Sequence, residues 1–391
     1  MKDQCSYTLR DLTVYFLKLG SYGFGGPVAL VGYMHRDLVE KKKWLTEEEY
    51  REGLALAQLA PGPLAAQLGI YIGYVHYGIL GATLTGLAFV MPSFIMVVLL
   101  GIAYQNYGGI PIVRDIFYGV GAAVIGIMAV SAYKLTVKSV GRPGLSAIRA
   151  DWLRWLIFGA ALFITVKTQR EEALLFIVAG LIYMWYKAPL RTSKEGKGLS
   201  SLLLLSLQGT VKFSGHALTE IGFFFLKAGA FVFGSGLAII PFLHAGVVDE
   251  YGWLTEVQFL DAVAVAMITP GPVVITVGFI GYLVAGFPGA AVAALATFIP
   301  CYLFTVILAP YFRKIAGNRY VRDFVDGITS AVIGALAGAV IVIAMRTLND
   351  YISVLLAAAS VLTLIYVKKL QEPLLILIAA ILGIMIKKLL L

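Results

Sequence analysis

Two lysines stand where a lysine is expensive to keep. Lys18 and Lys227 each lie inside a long apolar run, two residues before a glycine-rich stretch. The first stretch, Gly20 to Pro27, reads Gly-Ser-Tyr-Gly-Phe-Gly-Gly-Pro, and Gly229 to Gly236 is its counterpart. A charge inside a membrane span costs about 2.5–3.5 kcal/mol on insertion scales, so it pairs or faces a cavity. Further along, Pro61-Gly62-Pro63 and Pro270-Gly271-Pro272 interrupt two more apolar runs. Proline removes a donor and blocks the preceding turn, while glycine tolerates a sharp reversal. A helix restarting after such a break presents unpaired N–H groups and the positive end of its dipole, which suits an anion. Acidic residues are scarce in the same cores, so the chemistry on offer is capture of a small anion, dianions included. The candidate binding residues are Lys18, Gly25, Gly26, Gln58, Pro61, Gly62 and Pro63, then Lys227, Gly234, Ser235, Pro270, Gly271 and Pro272. The lysines would supply charge, the broken helices hydrogen bonds, and Gln58 would orient the anion.

Each residue also has an ordinary explanation. Glycine in a membrane helix commonly serves close packing, and a lysine near a span end can snorkel to the interface. Recurrence of both features at matched positions argues against chance. His35 and His244 read as interfacial, Trp44 and Trp253 as interfacial anchors. Arg114-Asp115 and Arg322-Asp323 read as helix-capping pairs that set topology. Other chemistries lack their residues. Cys5 and Cys301 have no metal-ligand spacing, and His35, His76, His216 and His244 form no cluster. Gly196 to Gly198 lacks the spacing and the Ser/Thr of a phosphate loop. We expect no catalytic residues, no metal, no cofactor, no nucleic-acid partner and no enzyme.

The elements that must position these residues follow from composition. Of 391 residues 60% are apolar or aromatic and only 14% are charged. A soluble domain carries nearer a quarter charged, so this chain needs lipid as a solvent. Apolar runs fall at about 12–34, 53–79, 81–105, 113–137, 152–167 and 172–188, then return at about 216–243, 257–285, 287–312, 324–345, 351–367 and 372–389. A self-comparison explains the return. At an offset of 209, Trp44-Leu45-Thr46-Glu47 falls on Trp253-Leu254-Thr255-Glu256, and Pro61-Gly62-Pro63 on Pro270-Gly271-Pro272. At 208, Pro92 falls on Pro300 and Arg114-Asp115 on Arg322-Asp323. The chain is two copies of one module, residues 1–188 and 213–391, joined by a basic cytoplasmic linker at 189–212.

Loop charges give orientation. The loop 35–52 holds Arg36, Lys41, Lys42, Lys43 and Arg51, whereas its duplicate 244–257 holds no lysine or arginine. The bias reverses between the third and fourth runs, where Arg114 stands against Arg313, Lys314, Arg319 and Arg322. The copies are therefore expected upside down relative to each other, which requires an odd number of crossings in each. The fold class predicted is an all-α polytopic membrane protein of two inverted-topology repeats. Each has about five spans plus one Pro-Gly-Pro re-entrant hairpin, with both termini outside.

Phe24-Gly25-Gly26-Pro27, Lys42-Lys43-Trp44-Leu45, Ala57-Gln58-Leu59-Ala60-Pro61-Gly62-Pro63, Gly73-Tyr74 and Gly281-Tyr282 together resemble the chromate ion transporter family in its long two-module form. The resemblance covers nearly the whole chain. It implies a multi-pass plasma-membrane protein that exports chromate and confers chromate resistance, with sulfate as the look-alike oxyanion. Two departures stand in the second half: Ser235-Gly236 replaces Gly-Pro, and Met267 stands where Gln58 sits in the first. That site would bind less strongly or serve another part of the cycle. The partners expected are a small inorganic oxyanion and the bilayer, with a homodimer left open. A sulfate or other oxyanion carrier, an anion channel, and a non-transport membrane protein are the rival readings, the last lacking any visible nucleophile or acid–base pair.

Overall fold

Helix starts are set by the same chemistry at matched places in the two halves. Thr46 accepts a hydrogen bond from the Glu49 amide while the Glu49 carboxylate accepts one from the Thr46 amide, and Thr255 and Gln258 repeat the arrangement. Each such box contributes on the order of 1 kcal/mol to the helix that follows it.

The computed structural model describes residues 7–24, 26–144, 148–149, 151–168, 173–187, 217–232, 236–312, 318–367 and 370–390. The regular elements among them are all helical. In the first half they are α1 (Leu9–Tyr22), α2 (Gly26–Met34), α3 (Glu47–Leu59), α4 (Leu64–Tyr107), α5 (Pro111–Ser139), α6 (Trp152–Thr168) and α7 (Ala173–Lys187). The second half supplies α8 (Ala217–Ala230), α9 (Ile240–His244), α10 (Glu256–Ile268), α11 (Thr276–Leu308), α12 (Arg319–Thr347), α13 (Tyr351–Tyr366) and α14 (Glu372–Leu390). A π-helical turn follows α2 at His35–Lys41 and another follows α9 at Ala245–Glu250. Four stretches, Leu64–Tyr107, Pro111–Ser139, Val273–Tyr311 and Arg319–Thr347, are long and apolar enough to cross a membrane. The chain is an all-helical membrane protein. The expected linker at 189–212 lies outside the described residues.

Three reversals shape each half. The first follows α1, where Tyr7 stacks on Trp44 with ring centroids 4.5 Å apart. The start of α1 and the end of the π-turn after α2 therefore lie side by side, and the two helices fold back on one another. The run 12–34, expected to be a single span, is thus a helical hairpin, and Tyr7 joins the loop 35–52 on one face rather than the opposite one. The physical reason is Gly26, whose φ of +72° is left-handed and carries the chain out of the α1 direction. The second reversal lies at Pro61-Gly62-Pro63. A side chain at Gly53 would run into Tyr71 and Leu68, so α3 and the start of α4 are antiparallel neighbours.

The third reversal divides α4. Tyr77 and Gly78 leave helical geometry, Gly78 at φ +63°, and Ala285 and Gly286 do the same within α11. Gly73 and Gly81 then pack backbone to backbone, and Thr85 Oγ1 donates to the Gly69 carbonyl at 3.0 Å. Gly281 and Gly289 repeat the close approach. The arm of α4 beyond this turn still exceeds the ~20 residues needed to span.

The halves are interlocked. The outgoing arms of α4 and α11 run antiparallel: Thr83 meets Tyr302 at 2.8 Å, and Phe94 meets Phe287 at 6.3 Å between centroids. Helix α5 packs against α13 and α14 of the other half, with Gly119 on Ala379 and Gly383 and Gly126 on Ala357 and Ser360. Reciprocally, α12 packs against α6 and α7, with Gly327 on Ala179 and Tyr183 and Gly334 on Phe158. Two opposed faces result. The first gathers Tyr7, Trp44, Tyr77 and the Arg319–Lys187 contact of 3.2 Å. The second gathers Asp249, Glu256 and Arg346, and the Tyr118–Asp350 bond of 2.6 Å.

Candidate functional site

The breaks expected at two distant places in the chain meet at the centre. The Gly62 amide donates to the Val232 carbonyl at 2.5 Å, and the Gly271 amide donates to the Gly23 carbonyl at 3.0 Å. These are one contact made twice, since Gly62 and Gly271 are duplicates and so are Gly23 and Val232. Each Pro-Gly-Pro tip is therefore pinned to the glycine-rich turn of the opposite half. Gly62 (φ +145°) and Gly271 (φ +98°) hold conformations that only glycine adopts readily.

Duplicated residues from the long arms line the tips. Ser93 of α4 donates to the Pro270 carbonyl at 2.7 Å and lies against Gly271, while its counterpart Cys301 lies against Gly62. The Pro61 carbonyl has a different partner, Gln67 Nε2 at 2.8 Å. Gln67 is fully buried and its Oε1 has no hydrogen-bond partner among the described residues. Sequence reasoning passed over Gln67; a polar side chain one turn into an otherwise apolar restart of α4 was the available signal.

Against the expected site, the residues divide. Pro61, Gly62, Pro63, Pro270, Gly271 and Pro272 come together, all buried except the partly exposed Pro61. The Gly62 and Gly271 amides are already bonded across the halves, so neither is an open donor. At the restart of α4 the amides of Leu64, Ala65 and Ala66 precede the first helical bond, Gln67 N–H to Pro63 O at 3.0 Å, and lack helical partners. In the second half a 3₁₀ turn over Val273–Ile275 tightens the restart. Gly26 opens α2 and is partly exposed; Gly25, Gly234 and Ser235 lie outside the described residues. Lys18 and Lys227 are exposed, one turn before their breaks, and Lys227 Nζ lies 5.9 Å from the centre of the Phe242 ring. Gln58 is exposed, whereas Met267 is buried.

That last difference extends over the whole hairpin pair. In the second half Leu237 to Leu243 and Asp261 to Met267 are buried, because α9 packs on α12, and α10 packs on α5, α12 and α14. In the first half the neighbours of α2 and α3 are α4 and α11, and Phe24, Gly26 and Pro27 are partly exposed and Gln58 exposed. Charges at the rims match. His244, with a side chain only 4% exposed, bridges Glu256 (2.7 Å) and Asp249 (3.5 Å), and Arg346 from α12 bonds Asp249 (2.7 Å). His35, 31% exposed, bridges Glu47 (2.8 Å) and Glu40 (3.2 Å). The His35 hydrogen bond holds the Glu47 carboxyl below the usual carboxylate range. Lys138, the counterpart of Arg346 on α5, is exposed and makes no ion pair among the described residues.

A profile of the chromate transporter family matches residues 10–185 and 219–384. A chromate transport protein of Cupriavidus metallidurans is 58% identical over 381 residues, covering 97% of this chain and 93% of that protein. A probable chromate transport protein of Synechococcus elongatus is 55% identical over 384 residues, covering 97% and 96%. An uncharacterized transporter of Methanocaldococcus jannaschii is 28% identical over 389 residues, covering 96% and 94%. No solved structure matches the chain significantly.

Proposed function

From the premise that the chain belongs to the chromate transporter family, we propose that it exports chromate through the plasma membrane and confers chromate resistance. It does so by alternating access at a site between two inverted repeats, 1–188 and 213–391. The observation that carries this reading is the unequal burial of two duplicated hairpin pairs around one reciprocal contact: Gln58 exposed, Met267 sealed. A channel has no need of two such states, whereas a carrier does. In each half the α1–α2 pair and the Pro-Gly-Pro pair act as re-entrant hairpins, one more than expected. The odd count of crossings therefore no longer carries the inversion, which rests instead on the antiparallel α4 and α11 arms.

Arg36, Lys41, Lys42, Lys43 and Arg51 lie beside the first face, which makes it cytoplasmic. The accessible hairpins then belong to an inward-open state. Chromate enters past Lys18 and Gln58, and the free amides of Leu64 to Ala66 face its oxygens. Closure brings Lys138 to Glu40 and Glu47, while Arg346 releases Asp249 and Glu256 and the second face opens. Each charge moved through 100 mV is worth about 2.3 kcal/mol, so a dianion leaving a negative interior gains roughly 4.6. The test is tracer flux in proteoliposomes under an imposed potential of either sign. We expect saturable chromate flux that reverses with the potential and shows counterflow, with sulfate competition setting selectivity. Absence of flux under every gradient would remove the substrate assignment.

A further inference from the structure

A second ionisable site lies away from the oxyanion path. Asp261, on the first half of α10, is 3% exposed. Its carboxylate accepts a hydrogen bond from Tyr104 at 2.6 Å, a residue near the end of α4 and therefore from the other half. No cation lies within ion-pair distance of it among the described residues. The contrast is local: Glu256, five residues earlier on the same helix, has both His244 and Arg346. Charged or titratable groups on the packed neighbours are directed elsewhere. Arg346 of α12 and His244 turn to Asp249 and Glu256, Tyr118 of α5 donates to Asp350, and Lys387 of α14 lies over the Tyr118 ring. Among the described residues, Tyr104 is the hydrogen-bond partner of the Asp261 carboxylate.

A carboxylate taken out of water without a counter-charge is strongly disfavoured, and a single phenol does not replace its hydration. The neutral acid has no such penalty. The same position in the first half is Glu52, which lies 3.5 Å from the Tyr71 hydroxyl and is itself partly exposed. The duplicated carboxyl is thus sealed in one half and partly accessible in the other. We propose that Asp261 is a proton-binding site: it takes up one proton from the second face as that face seals and returns it to water there as the face opens. Glu52 does the same at the first face. Transport then depends on the pH of each side separately, with no net proton carried per cycle, because each carboxyl loads and unloads on its own side. This inference rests on the alternating-access reading but not on which anion is moved.

The test uses the full chain in proteoliposomes, with Cys5 and Cys301 replaced by serine and a reporter thiol introduced as Met267→Cys. A membrane-impermeant maleimide is added at the second face while the pH there varies and the opposite pH is fixed. We expect alkylation, taken relative to that of the unfolded chain at the same pH so that the thiolate fraction cancels, to rise at least tenfold from mildly acid to alkaline conditions. Asp261→Asn, which mimics the loaded site, should hold the thiol protected at every pH, and Asp261→Glu should restore the dependence. His244→Gln should retain it. Dependence that persists in Asp261→Asn, or is absent from the parent, would overturn the proposal. Chromate counterflow is measured on the same vesicles. A parent that alkylates as expected but moves no chromate would sink the oxyanion reading and leave the proton site standing.

Discussion

The two Pro-Gly-Pro tips are built from the same residues and held by different ones. At the second-half tip the Pro270 carbonyl is tied to Ser93, on a long arm of the opposite half. At the first-half tip the Pro61 carbonyl is tied to Gln67, on its own hairpin. The residue matching Gln67 is Thr276, which donates to Val273 within its own turn. One tip is thus anchored to the other repeat by an extra bond, while the other carries its own cap. The outer rims repeat the contrast, with Arg346 bridging α12 to the second-half hairpins and Lys138 making no ion pair among the described residues. On the alternating-access reading proposed above, the two gates are not held equally, and these departures between the copies bias which one is shut.

The largest expected effect breaks this comparison at the glycines. Gly271→Ala forces a side chain into φ +98° and into Ser93, adding strain of about 1–3 kcal/mol to overpacking of similar size. Gly62→Ala carries backbone strain of the same kind at φ +145° but meets the Gln67 and Cys301 side chains less closely than an alanine at 271 meets Ser93. We expect Gly271→Ala to lower the unfolding temperature in detergent more than Gly62→Ala, and to abolish chromate counterflow. Equal effects would mean the tips are energetically alike.

Much of this arrangement was legible in the sequence, for definite reasons. Rare residues held in register across two apolar halves expose the duplication, and Pro-Gly-Pro can hardly be anything but a break. Thr46 and Thr255, both within the repeated Trp-Leu-Thr-Glu, start helices through capping boxes. The fold-back of α1 on α2 was not legible, because a hairpin and a span have the same apolar composition. Contacts such as the Tyr7–Trp44 stack and the Tyr77 hydrogen bond to the Tyr7 carbonyl distinguish them. Gln67 and Asp261 escaped for a related reason: burial of a polar side chain is a property of packing between halves, and no single run contains it.

A somewhat smaller effect sharpens the role of charge. If Lys18 and Lys227 both serve the anion, Lys18→Ala should weaken half-saturation for chromate about tenfold, or roughly 1.4 kcal/mol. It lies on the accessible hairpin pair. Lys227→Ala should weaken it less when uptake is measured from the first face, and more when measured from the second. A double variant with wild-type flux would remove the lysines from the site.

The rims come next. Arg346→Ala removes a charge-assisted bond to Asp249, worth about 1.5–3 kcal/mol, and should increase thiol labelling at Met267→Cys from the second face. Lys138→Ala should change labelling there by less than twofold, since its partners stand apart. Pairing Lys138→Cys with Glu47→Cys and bridging them with a short bifunctional reagent should trap the opposite state and expose the second face. Failure of that pair to cross-link in membranes, with transport intact, would mean the two rims do not exchange.

The smallest expected effect is the most discriminating about asymmetry. Ser93→Ala loses one neutral bond to the Pro270 carbonyl, about 1 kcal/mol, and frees the second-half tip to open more often. Cys301→Ser offers the matching hydroxyl to the first half, but the Pro61 carbonyl is already occupied by Gln67. The new hydroxyl has the Thr297 carbonyl one turn back as its partner, so the buried polar group is satisfied and stability should move by no more than about 1 kcal/mol. Only when Gln67→Leu is added does the Pro61 carbonyl become available to Ser at position 301, and the first-half tip should then be held as the second-half tip is. Chromate counterflow from the first face should slow in that double variant and not in Cys301→Ser alone. If both variants transport alike, the carbonyl caps do not set which gate is shut, and the bias must come from the rims.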